Sequence, residues 1–326
     1  FKLYFIMPLV YFSVIIPLYN KAMHVHRALR SVAAQVFRDY EVIIVDDGSS
    51  DGSAEVVEKL LQPGWQLLRQ ENRGVSAARN RGAEASQGEY LCFLDADDEW
   101  HPRYLSCMHD LINAFPGCGM YGANYAQATP EQENDDFAAS VISCFRGRRC
   151  QLFRDWLIRN PMNSDSVIIP NAVFRSLGGF QVGQKYYEDA TLMFKIAAEY
   201  PVTVTDQVLT RYYVGLEESA NARMQQERPL YPGYLPFLLE ARKRPRAGFW
   251  LRFFTMVELF VLFGGHVYLR QYERNLSLFD EFPELASSWH RAIYYEPRWR
   301  WLVRVPIVGV LKARGLLLRL FRRWYV

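Results

Sequence analysis

No CxxC pair occurs in these 326 residues, and the five cysteines (Cys92, Cys107, Cys118, Cys144 and Cys150) are scattered. An odd, widely spaced set argues against a disulfide framework or a zinc site and fits small buried residues in a reducing compartment. A signal peptide is not expected either. Phe1 to Phe12 are apolar apart from Lys2, but they run into the first strand without a small-residue cleavage site, and Met7 is a candidate start. Long hydrophobic runs are missing too. The most apolar segment, Phe249 to Leu269, is interrupted by Arg252 and Glu258, which leaves no uncharged run long enough to span a bilayer. The formal charge is only +3, so bulk charge selects no partner. There is no internal repeat, and with half the residues apolar the chain can bury a sizeable core.

What is present is a rhythm of short apolar runs. Ser13-Val-Ile-Ile-Pro-Leu18 and Glu41-Val-Ile-Ile-Val-Asp46 read as strands buried on both faces, Trp65 to Gln70 as a third strand, and Glu89 to Leu94 as a fourth ending at Asp95. Between them lie helical patterns. The first uses Val25, Ala28, Leu29, Val32, Ala33 and Val36, with Asn20 expected as its N-cap. The third, from about Gly74 to Ser86, carries small residues (Ala78, Gly82, Ala85) at its packing positions. Strand and helix alternating at this interval predict an α/β fold with a doubly wound, mostly parallel nucleotide-binding sheet. Such sheets bind ligands beyond the carboxyl ends of their strands. Pro17 to Asn20, Asp46 to Asp51, Gln70 to Gly74 and Asp95 to Asp98 all fall there.

Asp95-Ala-Asp97 is the strongest of these segments. Two carboxylates one residue apart on extended chain can converge on a hard cation, Mg²⁺ or Mn²⁺, and such an ion neutralises a departing diphosphate. Asp98 is expected as a turn or cap residue, with help in holding the metal through water as the alternative. Asp46-Asp47-Gly48 offers an exposed carboxylate to a base or ribose, while Ser49 to Asp51 are expected to cap the next helix. Arg79 could reach a phosphate or ribose from the third helix. Glu188-Asp189, where a loop meets a helix, supplies a carboxylate able to take a hydroxyl proton. Each segment alone has a plain structural alternative: a solvated turn, a cap, a surface arginine, an acidic helix start.

In order, Val14-Ile-Ile-Pro-Leu-Tyr-Asn20, Val45-Asp-Asp-Gly-Ser-Ser-Asp51, Asn72 to Asn80, Gly88 to Asp98, Gly178-Gly-Phe180 and Glu188-Asp189 resemble the inverting glycosyltransferase family 2 with its GT-A fold, over roughly residues 12 to 221. The resemblance implies that Pro17, Tyr19 and Asp47 lie around the nucleotide base and Arg79 on the donor side. It makes Asp95 and Asp97 the metal motif, Asp189 the catalytic base and Glu188 its neighbour that orients the acceptor. It implies transfer from a nucleotide sugar, expected to be a UDP-sugar, to a saccharide or lipid-linked acceptor in bacterial cell-surface polysaccharide or glycolipid synthesis. One departure stands out. Many relatives carry Tyr-Arg-x-His after the base, whereas here Tyr212-Tyr-Val-Gly215 places Gly215 at the histidine, with Arg211 a candidate substitute cation. The rival readings are a nucleotidyltransferase of related topology and an inactive GT-A-like binding protein. The segment after Pro17, Leu-Tyr-Asn-Lys, lacks the glycine-rich loop of the first, and the joint presence of Asp95, Asp97 and Asp189 argues against the second.

The expected domains are 1–221 as the GT-A part, 222–247 as a linker with prolines at 229, 232, 236 and 245, and 248–326 as a mainly helical C-terminal extension. From His290 to Val326 there are nine Arg or Lys against one acid, Glu296. Arg304, Lys312, Arg319 and Arg323 fall near one helical face among Trp, Leu and Phe, with Pro306 and Gly309 expected to break the helix in two. That tail is expected to lie on an anionic membrane surface, giving a cytoplasmic protein peripheral to the inner face and no nucleic-acid partner; the alternative is a basic helix packed on the catalytic domain or a dimer contact.

Overall fold

The computed structural model describes residues 10–129, 137, 147–158, 160–215, 227, 229–268 and 272–285. The chain divides into two compact units, residues 1–152 with 161–226 and residues 153–160 with 227–326.

The first unit is built on a nine-stranded sheet among the described residues. Its strands are β1 (Phe12–Leu18), β2 (Tyr40–Asp46), β3 (Gln66–Arg69), β4 (Tyr90–Phe93), β5 (Glu99–Trp100), β6 (Met120–Ala128), β7 (Gly147–Cys150), β8 (Val167–Pro170) and β9 (Val202–Tyr213). They lie in the order β3-β2-β1-β4-β8-β6-β9-β5, with β7 paired to β9. The first four are parallel, as the apolar runs of β1, β2 and β4 lead one to expect; all seven residues of β1 are buried, whereas β3 is exposed at Gln66 and Arg69. Beyond β4 the sheet is mixed: β8 runs antiparallel to both β4 and β6, β9 runs parallel to β6, and β5 and β7 pair antiparallel with β9. The expected doubly wound α/β architecture is therefore present, with its uniformly parallel part confined to the first four strands.

Helices α1 (Val25–Ala33), α2 (Ser53–Leu60) and α3 (Val75–Ala85) connect these parallel strands. The chain continues with α4 (Tyr104–Ala114), α5 (Leu152–Ile158), α6 (Asn171–Ser176) and α7 (Glu188–Glu199). Asn20 does not cap α1. It sits at φ 51° beyond β1, and its side-chain oxygen accepts from Ser50 N at 2.9 Å, so the helix begins only at Val25. A short polar side chain tolerates that backbone region, and cross-linking the β1 and β2 loops outweighs capping. The same helix ends at Ala33, leaving Val36 outside it and 55% exposed. The small residues of α3 behave as expected, with Ala78 wholly buried against Ile43 and Val45.

In the second unit, α8 (Leu235–Ala241), α9 (Phe249–Tyr268) and α10 (Tyr272–Glu281) are helical. Leu235, Leu239, Leu278 and Leu285 form its buried cluster. Helix α8 falls inside the stretch expected as a proline-rich linker, with Pro236 near its start, where the missing N–H costs nothing. Among the described residues no helix is long and apolar enough to cross a membrane. Residues 130–136, part of the polar, acidic stretch from Thr129 to Asp136 that the sequence suggests as a loop, and the basic tail from His290 onward lie outside the described residues.

At Gly82 an added Cβ would come 2.4 Å from Ile15 Cγ2, on a fully buried central strand. Gly82→Ala improves helix propensity by about 1 kcal/mol, but overpacking of such a contact costs about 1–3 kcal/mol. The variant is expected to unfold at a lower temperature than wild type. A midpoint equal to or above wild type would contradict a fixed spacing between α3 and β1.

Candidate active site

Parallel register puts the ends of β1, β2, β3 and β4 on one edge of the sheet: Leu18 pairs with Asp46, Asp46 with Arg69, and Ile15 with Phe93. Pro17 is buried in β1 opposite Val45, and Tyr19, just beyond, is 39% exposed. The exposed carboxylate expected in the Asp46-Asp47 turn is not there. Both side chains are buried, and Asp47 accepts from Gln70 Nε2 at 2.6 Å, Arg73 N at 2.9 Å and Gly74 N at 2.8 Å. It pins the loop after β3 against the loop after β2. Gly48, at φ 76°, makes that approach possible, since a Cβ there would lie 2.9 Å from Asn72 N. Ser49 to Asp51 do not cap α2: its N-cap is Gly52, at φ 87° and without a side-chain cap hydrogen bond. Asp51 instead accepts from Ser53 N and Ala22 N, each at 3.0 Å, and so ties this loop to the one after β1.

Arg79 is the hub of the site. From α3 its buried guanidinium donates through one nitrogen to Asp95 Oδ1 at 2.7 Å and through the other to Glu188 Oε1 at 2.9 Å. The ring of Phe180 lies 5.1 Å from its central carbon. Burial pulls its pKa down, but Asp95, then Glu188 and Asp189, more than reverse this and keep it charged. Glu188 and Asp189 open α7, after Tyr187 in the left-handed region at φ 64°. Burial raises the pKa of both carboxyls. Asp189 adds to the rise at Glu188, and Arg79 opposes it at each. Arg79 thus brings the segment after β4 and the start of α7, 109 residues apart in sequence from α3, into one network.

The Asp95–Asp98 segment divides its carboxylates. Those of Asp95, Asp98 and Asp165 offer oxygens within 4.8 Å of one another. Asp165 Oδ1 accepts from Asp95 N at 2.7 Å, and Asp98 Oδ1 from Tyr213 N at 2.8 Å. The other oxygen, Asp98 Oδ2, is buried without a hydrogen-bond donor. Burial, then Asp165, Asp97 and Asp95, push Asp98 well above the carboxylate range, and burial with Asp95 pushes Asp165 up to about 8. Clustered carboxylates without a cation behave this way. A hard divalent ion would relieve the repulsion and use the orphaned oxygen, so this donor set fits Mg²⁺ or Mn²⁺. Asp97 stands outside the cluster. Its Oδ2 meets Lys21 Nζ at 2.6 Å, and its backbone carbonyl accepts from the Arg27 guanidinium at 2.6 Å.

Asp165 and Lys21 were not singled out by sequence reasoning. Asp165 follows Asn163 in a 3-10 turn (Ser164–Ser166) closed by a reciprocal Asn163–Ser166 pair, immediately before β8. An acid two residues before the apolar run Val167–Ile169 was the available signal, but its meaning depends on β8 lying beside β4. Gly215 sits beyond β9, exposed, at φ 85°. Arg211, the candidate substitute cation, is paired with Glu99 at 3.2 Å and lies over the Phe137 ring at 4.5 Å.

Known proteins resemble this chain in sequence and in fold. Residues 13–155 match the family model described as glycosyl transferase family 2. A glycosyltransferase of Rickettsia prowazekii, itself uncharacterised, is 23% identical over 279 residues, spanning 84% of this chain and 86% of that one. The amylovoran biosynthesis glycosyltransferase AmsB of Erwinia amylovora is 40% identical over 113 residues, 33% of this chain and 38% of its own. Among solved structures, S. aureus TarS 1–349 in complex with UDP-GlcNAc superposes with a TM-score of 0.57 at 17% identity, covering 92% of this chain and 80% of that one. The mannosyltransferase PcManGT from Pyrobaculum calidifontis, in complex with GDP-Man and Mn²⁺, gives 0.58 at 16% identity, with 91% and 86% covered. The protein is a glycosyltransferase with a GT-A fold. Its residues 13–155 resemble glycosyltransferase family 2, and the relatives it resembles include a glycosyltransferase of polysaccharide biosynthesis.

Lys21 and Asp97 are each 17% exposed in their side chains, so their ion pair is largely shielded from water. A divalent ion seeking Asp97 must displace the ammonium. Lys21→Met is therefore expected to raise Mn²⁺ affinity without nucleotide roughly fivefold, since an ion pair of this kind is worth about 1 kcal/mol. Titration followed by the free-Mn²⁺ electron paramagnetic resonance signal checks it, and equal or weaker binding would contradict the competition.

Proposed function

We propose that the protein is a metal-dependent, inverting glycosyltransferase that moves a sugar from a UDP-sugar to a hydroxyl of a saccharide or lipid-linked acceptor in bacterial cell-surface polysaccharide or glycolipid synthesis. The observation that carries this reading is the Arg79 fork, which joins Asp95 of the metal motif to the Glu188-Asp189 pair at the carboxyl edge of the sheet. The working division is residues 1–221 for catalysis and 248–326 as helical extension, with 222–247 between them contributing α8 to the second unit. The basic tail holds the enzyme on the inner face of the membrane.

In this account Pro17 and Tyr19 border the nucleotide base, and Asp47 shapes that border through the loop it pins. Arg79 sits on the donor side. Asp95 and Asp97, with Asp98 and Asp165 behind them, hold Mn²⁺ or Mg²⁺; when bound, the ion neutralises charge that grows on the diphosphate. The acceptor oxygen attacks the anomeric carbon from the face opposite the diphosphate. As the new C–O bond forms, Asp189 takes the hydroxyl proton, and the old C–O electron pair leaves with the phosphate. Glu188, held by Arg79, orients the acceptor. One base suffices for single displacement with inversion, whereas retention needs a nucleophile as well. The raised pKa of Asp189 makes it a stronger base than an ordinary aspartate.

TarS with UDP-GlcNAc and PcManGT with GDP-Man and Mn²⁺ both support a nucleotide-sugar donor, and they differ in the base. A transfer assay across UDP- and GDP-sugars, with and without EDTA, tests the reading. Turnover with a UDP-sugar is expected, and EDTA or Asp97→Ala should remove it by about 10²-fold or more. Asp189→Asn should lower kcat roughly 10²- to 10⁴-fold while donor affinity persists. EDTA-resistant turnover, or donor affinity falling as steeply as kcat in Asp189→Asn, would overturn the metal or the base assignment respectively.

A further inference from the structure

Helix α9 has two unlike faces at its amino end. Leu251, Phe254 and Thr255 are buried, and Phe153 packs on Phe254 with ring centroids 5.7 Å apart. On the other side Phe249 is 69% exposed and Met256 56% exposed, with Arg252 exposed between them. Phe253, half-buried, stacks on Phe249 at 5.8 Å with planes 12° apart, and Trp250 meets both rings edge-on. Positions 249, 253 and 256 recur at helical spacing, so they form one apolar stripe rather than scattered surface residues.

The turn leading into this stripe is basic. Arg242, Lys243, Arg244 and Arg246 precede the helix, and residues 242–257 hold five cations and no acid. Lys243 reaches back to Glu240 at 2.8 Å, and Arg244 and Arg246 are exposed. Aromatic and thioether side chains beside a cluster of cations match the boundary between anionic headgroups and acyl chains. A partner protein would have to offer an acidic rim around an apolar groove, whereas an anionic bilayer offers both over any area. We propose that residues 242–256 dock on an anionic lipid surface, with Phe249, Phe253 and Met256 entering the headgroup boundary and the basic turn lying over the phosphates. This rests on the peripheral-membrane reading and adds α9 as a contact beside the one proposed for the tail.

Co-sedimentation of the full-length protein with phosphatidylglycerol/phosphatidylcholine vesicles at low salt, beside vesicles of phosphatidylcholine alone, tests the proposal. Three variants accompany wild type: Phe249→Ser with Met256→Ser, Arg244→Glu with Arg246→Glu, and Arg319→Glu with Arg323→Glu in the tail. Each cation near an anionic surface contributes roughly fivefold in partitioning. Both patch variants are expected to lose binding by about tenfold or more, with unfolding temperatures near wild type. Because Arg244 and Arg246 are exposed, that variant remains informative if the apolar one misfolds. Patch variants that bind like wild type while the tail variant does not would overturn the proposal and leave the tail reading standing. Wild type that stays in the supernatant, or binds phosphatidylcholine equally well, would overturn it too, the former together with the whole membrane reading.

Discussion

The ion pairs of Arg79 are the constraint on which the rest of the site depends. A guanidinium as buried as this one is stable only if carboxylates face it, and carboxylates so placed are stable only if it stays charged. Its planar fork satisfies two acids in different directions, which a lysine ammonium at the same place could not do with fixed geometry. Asp95 belongs to the end of β4 and Glu188 to the start of α7, so the pair of bonds fixes the distance between the two halves of the chemistry. Loss of the guanidinium would leave Glu188 without its ion pair, and loss of one acid would leave Arg79 with the other alone.

The sheet supplies the frame for that hub. Parallel β1 to β4 deliver four loops to one edge, and Asp47 ties the second loop to the third through three N–H donors. Antiparallel β8 then brings Asp165 up beside Asp95 from the far side. Burial, and after it the repulsion among carboxylates gathered in this way, raises the pKa of Asp98 and Asp165. The site holds this repulsion ready for a cation, while Lys21 compensates Asp97 separately. Charge is thus arranged before any donor arrives, which is how electrostatic catalysis avoids reorganisation during the reaction.

Much of this was readable from residues 12 to 100, because a buried parallel strand writes itself as an unbroken apolar run and its polar end marks the loop that follows. Arg79, Asp95 and Glu188-Asp189 were found as separate pieces. Their joining was not legible, since a contact across 109 residues leaves no local trace. Asn20 was misread because its side chain suits both a cap and a left-handed turn. Asp47 was misread because an acid at a strand end looks the same whether it faces solvent or three amides. Asp165 needed the β4–β8 pairing, and β8 follows a region where alternation is weak. Register shifts between Ala123 and Tyr125 interrupt the pairing of β6 with β9, blurring the strand signal there.

Arg79→Lys, which keeps the charge and removes the fork, tests the central claim most directly. The measurement is kcat for sugar transfer at saturating donor and metal, read beside thermal unfolding. If Arg79 holds the metal motif and the base in register, the variant stays folded at assay temperature and kcat falls by about 10²-fold, the scale seen when a preorganised group is displaced by an ångström. A folded variant with kcat close to wild type would contradict the account.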